Sequence, residues 1–123
     1  MSATILIVDD EPQVLKALKL VLDEEGYETL TAGDGETCLT IVQTRHVDLL
    51  VLDIMMPRMD GWEILRTLRK QPDTGHAPVI ILSAKQAPID KMLGLDVFGV
   101  ERYLTKPFSP DELLAAVREV LAH

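Results

Sequence analysis

The sequence holds one cysteine, one tryptophan, two phenylalanines and two tyrosines in 123 residues. A lone Cys38 cannot close an internal disulfide, and without a second cysteine or grouped histidines the usual zinc spacings are missing. The setting this predicts is a reducing cytoplasm, with Cys38 as a small core residue. No apolar stretch approaches the roughly 18 residues of a membrane helix, and runs such as 49–52 and 79–82 are far shorter. A basic start followed by a long apolar run is also missing from the N-terminus, so membrane insertion and secretion are both excluded. There is no basic run either. Twenty acidic residues against twelve basic give a net charge of -8, which opposes direct binding to the polyanionic backbone of nucleic acid.

What remains is ordinary for a globular core: 47% hydrophobic and 26% charged residues, in a length that suits one domain. A chain of this size buries roughly two-thirds of the surface its unfolded form exposes and needs neither disulfide nor structural metal to fold. Hydrophobic periodicity alternates between two kinds of segment. Short apolar runs at 4–8, 28–32, 49–52, 79–82 and 103–105 read as strands. Amphipathic stretches at 12–25, 36–43, 62–69, 89–95 and 110–121 read as helices, the first with Val14, Leu18, Val21 and Leu22 on one stripe. Glycines stand at the joints, at positions 26, 33, 35, 61, 75 and 99.

The runs 49–52 and 79–82 are continuously apolar rather than alternating, as strands buried on both faces of a parallel sheet must be. The expected fold class is therefore α/β, a five-stranded parallel sheet with helices on both faces. The last helix is signed most clearly, by Ser109 as N-cap, Pro110 in the first turn and Glu112 completing a capping box. The sequence ends two residues after it, so the expectation is a single domain over 1–123 with no output domain.

In an open parallel sheet, ligands gather outside the carboxyl ends of the strands. The first run is followed by Asp9 and Asp10, the third by Asp53, the fourth by Ser83, and the fifth ends in Thr105 before Lys106. The second ends in Ala32 and Gly33, which suits a strand outside the site. Singly, these residues have plain readings: Asp9 or Asp10 as a helix cap, Ser83 as a loop hydroxyl, Lys106 as a solvated cation. Asp53 resists such a reading, because it interrupts an apolar run where an unpaired carboxylate is costly. Carboxylates about 4 Å apart repel by roughly 4 kcal/mol at an effective dielectric of 20, so three on one edge call for a cation. Oxygen donors without thiolate or imidazole select a hard ion such as Mg2+, with Mn2+ able to substitute, and Lys106 is the natural second cation. Such a site is arranged to spread phosphoryl charge, with Asp53 as the nucleophile.

These residues stand in four motifs: ILIVDDEP at 5–12, DLLVLDIMMPRMDG at 48–61, PVIILSAK at 78–85 and YLTKPFSPDEL at 103–113. In order and spacing they resemble the receiver domain of two-component response regulators over essentially the whole chain. The resemblance implies strand order 2-1-3-4-5 and a cis Lys106–Pro107 bond. It implies that Asp53 accepts a phosphoryl group from a histidine kinase, a phosphotransfer protein or a small phosphodonor. Asp10, Asp53 and the Met55 backbone carbonyl would ligate Mg2+ directly, with Asp9 acting through water. Lys106 would contact the phosphoryl oxygens, Ser83 would be the switch hydroxyl and Tyr103 the switch aromatic. Met55 and Lys85 would tune the lifetime of the phosphoryl group. The outcome would be a switch rather than an enzyme, although one that assists its own phosphotransfer and autodephosphorylation. It would control an unidentified downstream protein through the face made by the fourth helix, the fifth strand and the fifth helix.

Several positions depart from the transcription-factor branch that KPFSPDELL resembles. That branch carries an acidic pair before the switch aromatic and a basic residue before the glycine of the fourth helix, where this chain has Glu101-Arg102 and Leu93. A weak homodimer through that face would lack the branch's charge pairs. Phe98 stands where a small residue is usual, and Trp62 is expected to be half-packed core. Two other readings of the fold are open: a phosphorylation-independent interaction module, and an aspartate-nucleophile phosphatase. The intact acidic set argues against the first. Met55, where a second acid would stand, argues against the other. The acidic first turn, Asp9-Asp10-Glu11, disfavours nucleotide or flavin binding.

Overall fold

The computed structural model describes residues 2–54, 61–71, 77–83 and 99–122. Strands β1 (Thr4–Val8), β2 (Glu28–Ala32), β3 (Leu49–Asp53), β4 (Val79–Ser83) and β5 (Arg102–Thr105) form one parallel sheet in the order β2-β1-β3-β4-β5. Helices α1 (Pro12–Glu24), α2 (Gly35–Thr44), α3 (Gly61–Arg69) and the C-terminal α4 (Pro110–Leu121) accompany it. The helix predicted over 89–95 lies outside the described residues. No helix among them is long and apolar enough to cross a membrane.

The continuous apolar strands are sorted by the pleat into two cores. Leu6, Val8, Leu50, Leu52, Val79 and Ile81 pack with Ile64, Leu65 and Leu68 of α3 and with Cys38 and Val42 of α2. Ile5, Ile7, Leu49, Val51, Ile80 and Leu82 pack on the other face with Leu18 and Leu22 of α1 and with Leu113 and Val117 of α4. Trp62 is partly buried against the α2/α3 core, as expected. Edge strand β2 is buried only at Thr29 and Ala32, unlike the three central strands, which are buried at all positions.

Helix starts follow their caps. Ser109 and Glu112 form the predicted capping box, with reciprocal bonds of 3.1 Å. Helix α2 begins one residue earlier than predicted, because the Asp34 side chain accepts the Thr37 amide at 2.7 Å. At the amino ends of the strands, Asp48 accepts the Thr4 amide at 2.8 Å and the His46 ring lies 2.7 Å from its other oxygen. Hydrogen bonding from Thr4, and to a lesser degree from His46, holds the Asp48 carboxyl below its usual range despite some burial. Near the other edge Arg102 pairs with Glu119 of α4, and Glu101 accepts the Val79 amide at 2.8 Å. Both charges flanking the expected dimer face are thus engaged within the chain.

Candidate functional site

Strands β3 and β4 each run one residue further than predicted, so Asp53 and Ser83 are the last residues of their strands rather than the first beyond them. Register brings the polar ends together. Val8 pairs with Leu52, so Asp9 and Asp53 follow side by side; Asp53 pairs with Leu82, and Ser83 with Thr105. The ladder continues past the strands through Asp9 N to Ala32 O at 3.1 Å, Ile54 N to Leu82 O at 3.2 Å and Lys106 N to Ser83 O at 2.7 Å. Lys106–Pro107 is cis, as expected.

Strand alternation then decides which side each group faces. Asp9 continues the series Ile5 and Ile7, Asp53 the series Leu49 and Val51, and Lys106 follows Leu104, all on the α1/α4 side. The contacts agree: Lys106 Nζ lies 3.1 Å from Asp9 Oδ2 and 3.4 Å from Asp53 Oδ2. Ser83 continues the series Val79 and Ile81, and Tyr103, opposite Ile81, is packed against that same α2/α3 core while remaining half-buried. Sequence reasoning placed Asp9, Asp53, Ser83 and Lys106 at one edge but did not divide them between its two faces.

Burial separates the neighbouring aspartates. Asp9 is fully enclosed, and its second oxygen accepts the Glu11 amide at 3.0 Å, which orders the approach to α1. Glu11, not an aspartate, stands at the N-cap, and it makes no side-chain cap bond. Asp10 is exposed, and Asp53 is enclosed to within 3% of its surface. One oxygen from each of the three carboxylates lies within 4.8 Å of the others. Burial alone would push the Lys106 ammonium down. The hydrogen bond to Asp9 and the charges of Asp53 and Asp9 outweigh it and hold the ammonium above its ordinary value.

Among the described residues, one lysine bonds two of the three carboxylates, which leaves an excess of negative charge on oxygen donors, two enclosed and one open to solvent. That donor set suits a hard divalent cation entering from the Asp10 side. Met55 and Lys85, the two expected lifetime-tuning positions, lie outside the described residues, as do Leu93 and Phe98. Cys38 is buried, and its thiol is pushed up to about 12 by desolvation and by the charge of Asp34, which bears out its reading as a core residue.

Comparison with known proteins shows the family and the fold. Over 121 residues, 98% of the chain, it is 43% identical to the alkaline phosphatase synthesis transcriptional regulatory protein PhoP of Bacillus subtilis and covers 49% of that protein. The chain thus spans about half the length of the curated relatives it matches. Its fold superposes on the chemotaxis protein CheY4 of Vibrio cholerae with a TM-score of 0.92, at 32% identity, covering 98% of this chain and 99% of that one. It also matches the receiver domain of a Pseudomonas aeruginosa sensor histidine kinase, solved with a magnesium ion in its active-site cleft, at a TM-score of 0.89, 26% identity and full coverage of both chains. The family model for the response regulator receiver domain matches residues 5–118, and the chain belongs to that family.

Proposed function

We propose that the chain is a phosphorylation switch in which Asp53 is the phosphoacceptor. Receiver domains are signalling domains rather than enzymes in the ordinary sense, and the chemistry asked of this one is a single group transfer. The P–N bond of a donor phosphohistidine breaks, a P–O bond to an Asp53 oxygen forms, and the imidazole leaves with the electron pair and takes up a proton. A small phosphodonor would serve equally through its own P–O bond. The observation that carries the reading is the Lys106 ammonium between Asp9 and Asp53, at 3.1 and 3.4 Å. It is a positive group already at the carboxylate that would receive the phosphoryl oxygens.

Mg2+ fits the donor set. Ligand oxygens at about 2.0–2.1 Å from Mg2+ lie within roughly 4.2 Å of one another, so a spread of up to 4.8 Å admits two direct carboxylates and a third reached through water. Asp10 and Asp53 would be the direct ligands with the Met55 carbonyl, and enclosed Asp9 the indirect one. Bound there, the ion would neutralise charge that develops on the phosphoryl oxygens. Lys106, 3.4 Å from Asp53, would reach the same oxygens. Ser83 would donate its hydroxyl to the phosphoryl group from the α2/α3 face. Tyr103 shares that face and would follow, shifting the population towards a state recognised by a downstream partner.

Intact-mass spectrometry after incubation with Mg2+ and acetyl phosphate tests the reading. A gain of one phosphoryl group, absent from Asp53→Asn and blocked by chelator, is expected. No gain in a chain that binds Mg2+ would overturn it and leave the interaction-module reading.

A further inference from the structure

The first turn of α3 rests on the residue behind Asp53. A Cβ built on Gly61 would lie 2.5 Å from the Ile54 Cα, 2.7 Å from its Cγ2 and 2.9 Å from its Cβ. The nearest of these is backbone, so no rotamer change relieves it, and Ile54 would have to retreat by about half an ångström to reach even 3.0 Å. It has nowhere to go. Its side chain is 2% exposed in the core that holds Leu52, Ile64 and Leu65, and protein cores are packed too densely to absorb such a shift. Its amide is bonded to Leu82 O at 3.2 Å, and its carbonyl accepts the Gly61 amide at 3.0 Å. Displacement of Ile54 therefore passes along the chain to Asp53. Gly33, on the same edge of the sheet, forms the contrast: nothing lies within 4 Å of a Cβ placed there.

We infer that Gly61 is a positioning residue for the acidic pocket, its missing side chain letting α3 seat on the Ile54 backbone and fix where Asp53 presents its oxygens. This rests on the phosphoacceptor reading given above. The displacement an added methyl forces matches the roughly 0.5 Å tolerance within which a coordinating group must be held. Loss of a residue that orients a ligand typically lowers metal affinity about 10- to 100-fold.

The test is Mg2+ affinity by isothermal titration calorimetry at a temperature where every variant is folded by circular dichroism. Acetyl phosphate labelling of Asp53 is followed in parallel. Gly61→Ala is compared with Gly33→Ala and with Val117→Ala, a cavity that lowers stability in the core that does not hold Ile54. The expected result is a dissociation constant for Mg2+ at least ~10-fold weaker in Gly61→Ala, with the other two within twofold of the parent. Equal affinities in all four proteins would overturn the inference. So would a Gly61→Ala chain that does not fold while Val117→Ala does, because Gly61 would then serve the fold rather than the site. A parent chain that binds Mg2+ but takes no phosphoryl group would instead count against the phosphoacceptor reading, and leave the affinity comparison standing.

Discussion

Lys106 serves two enclosed carboxylates at once, its ammonium 3.1 Å from Asp9 and 3.4 Å from Asp53, with a quarter of its own side chain still open to water. Removing it strands Asp9 with no exposure at all. Breaking a buried ion pair from one side costs about 3–5 kcal/mol, and the partial exposure of Lys106 reduces the expectation here to about 1–3 kcal/mol. Lys106→Ala should therefore melt several degrees below the parent in chelator. Added Mg2+ should recover part of the loss, since an ion held only by the folded pocket would stabilise the fold. Thermal melts with and without Mg2+ check both statements.

Asp53→Asn should act in the opposite direction. It keeps the volume and a hydrogen-bond acceptor for Lys106 while deleting one of three negative charges grouped within 4.8 Å. In chelator the variant is expected to be more stable by on the order of 1 kcal/mol, the worth of a charge interaction that moves a pKa by a little under one unit. Mg2+ should narrow the difference by stabilising the parent more. Urea denaturation under the two conditions measures it, and a parent that is the more stable protein in chelator would show that Lys106 already relieves the repulsion.

Asp48 gives the fold an acid dependence far from the pocket. Its carboxyl, held below the usual 3.8 by the Thr4 amide first and by His46 after it, contributes stability that is present above 3.8. That contribution is lost as pH falls through the lower folded value. Asp48→Asn should melt below the parent at neutral pH, and the two curves should converge in strong acid. Melting temperatures taken from pH 2 to pH 7 decide it. A constant gap across that range would mean that Asp48 acts by shape rather than by charge.

Cys38 reports on opening of the α2/α3 core. With a thiol pushed up to about 12 and fully enclosed, it has almost no thiolate at neutral pH. A disulfide reagent should label it negligibly in the folded chain and completely in denaturant. Labelling at intermediate urea should follow the unfolding curve. Rapid labelling of native protein would show a local opening of α2 that the global transition does not include.

Much of this was legible because strand ends and polar residues coincide. Asp53 could be singled out as the break in 49–52, and Ser109 to Glu112 could be recognised as a cap. The burial of Asp9 against the exposure of Asp10 could not, since two adjacent identical residues differ only in the side of the pleat they take. Asp34 was hidden for a related reason: set between Gly33 and Gly35 and followed three residues later by Thr37 rather than an acid, it looks like part of a joint. The closeness of Gly61 to Ile54 leaves no mark in hydrophobic periodicity, because what matters there is an atom that is not present. The ion pair of Arg102 with Glu119 joins residues seventeen positions apart, beyond the span that strand or helix periodicity can read.

The pleat sends Asp9, Asp53 and Lys106 to one side of the sheet and Ser83 and Tyr103 to the other, while Ile54, next in the chain to Asp53, packs on the second side. An exchange in the α2/α3 core that moves Ile54 therefore reaches Asp53 through a single peptide bond. One layer of backbone joins the two faces as much as it parts them.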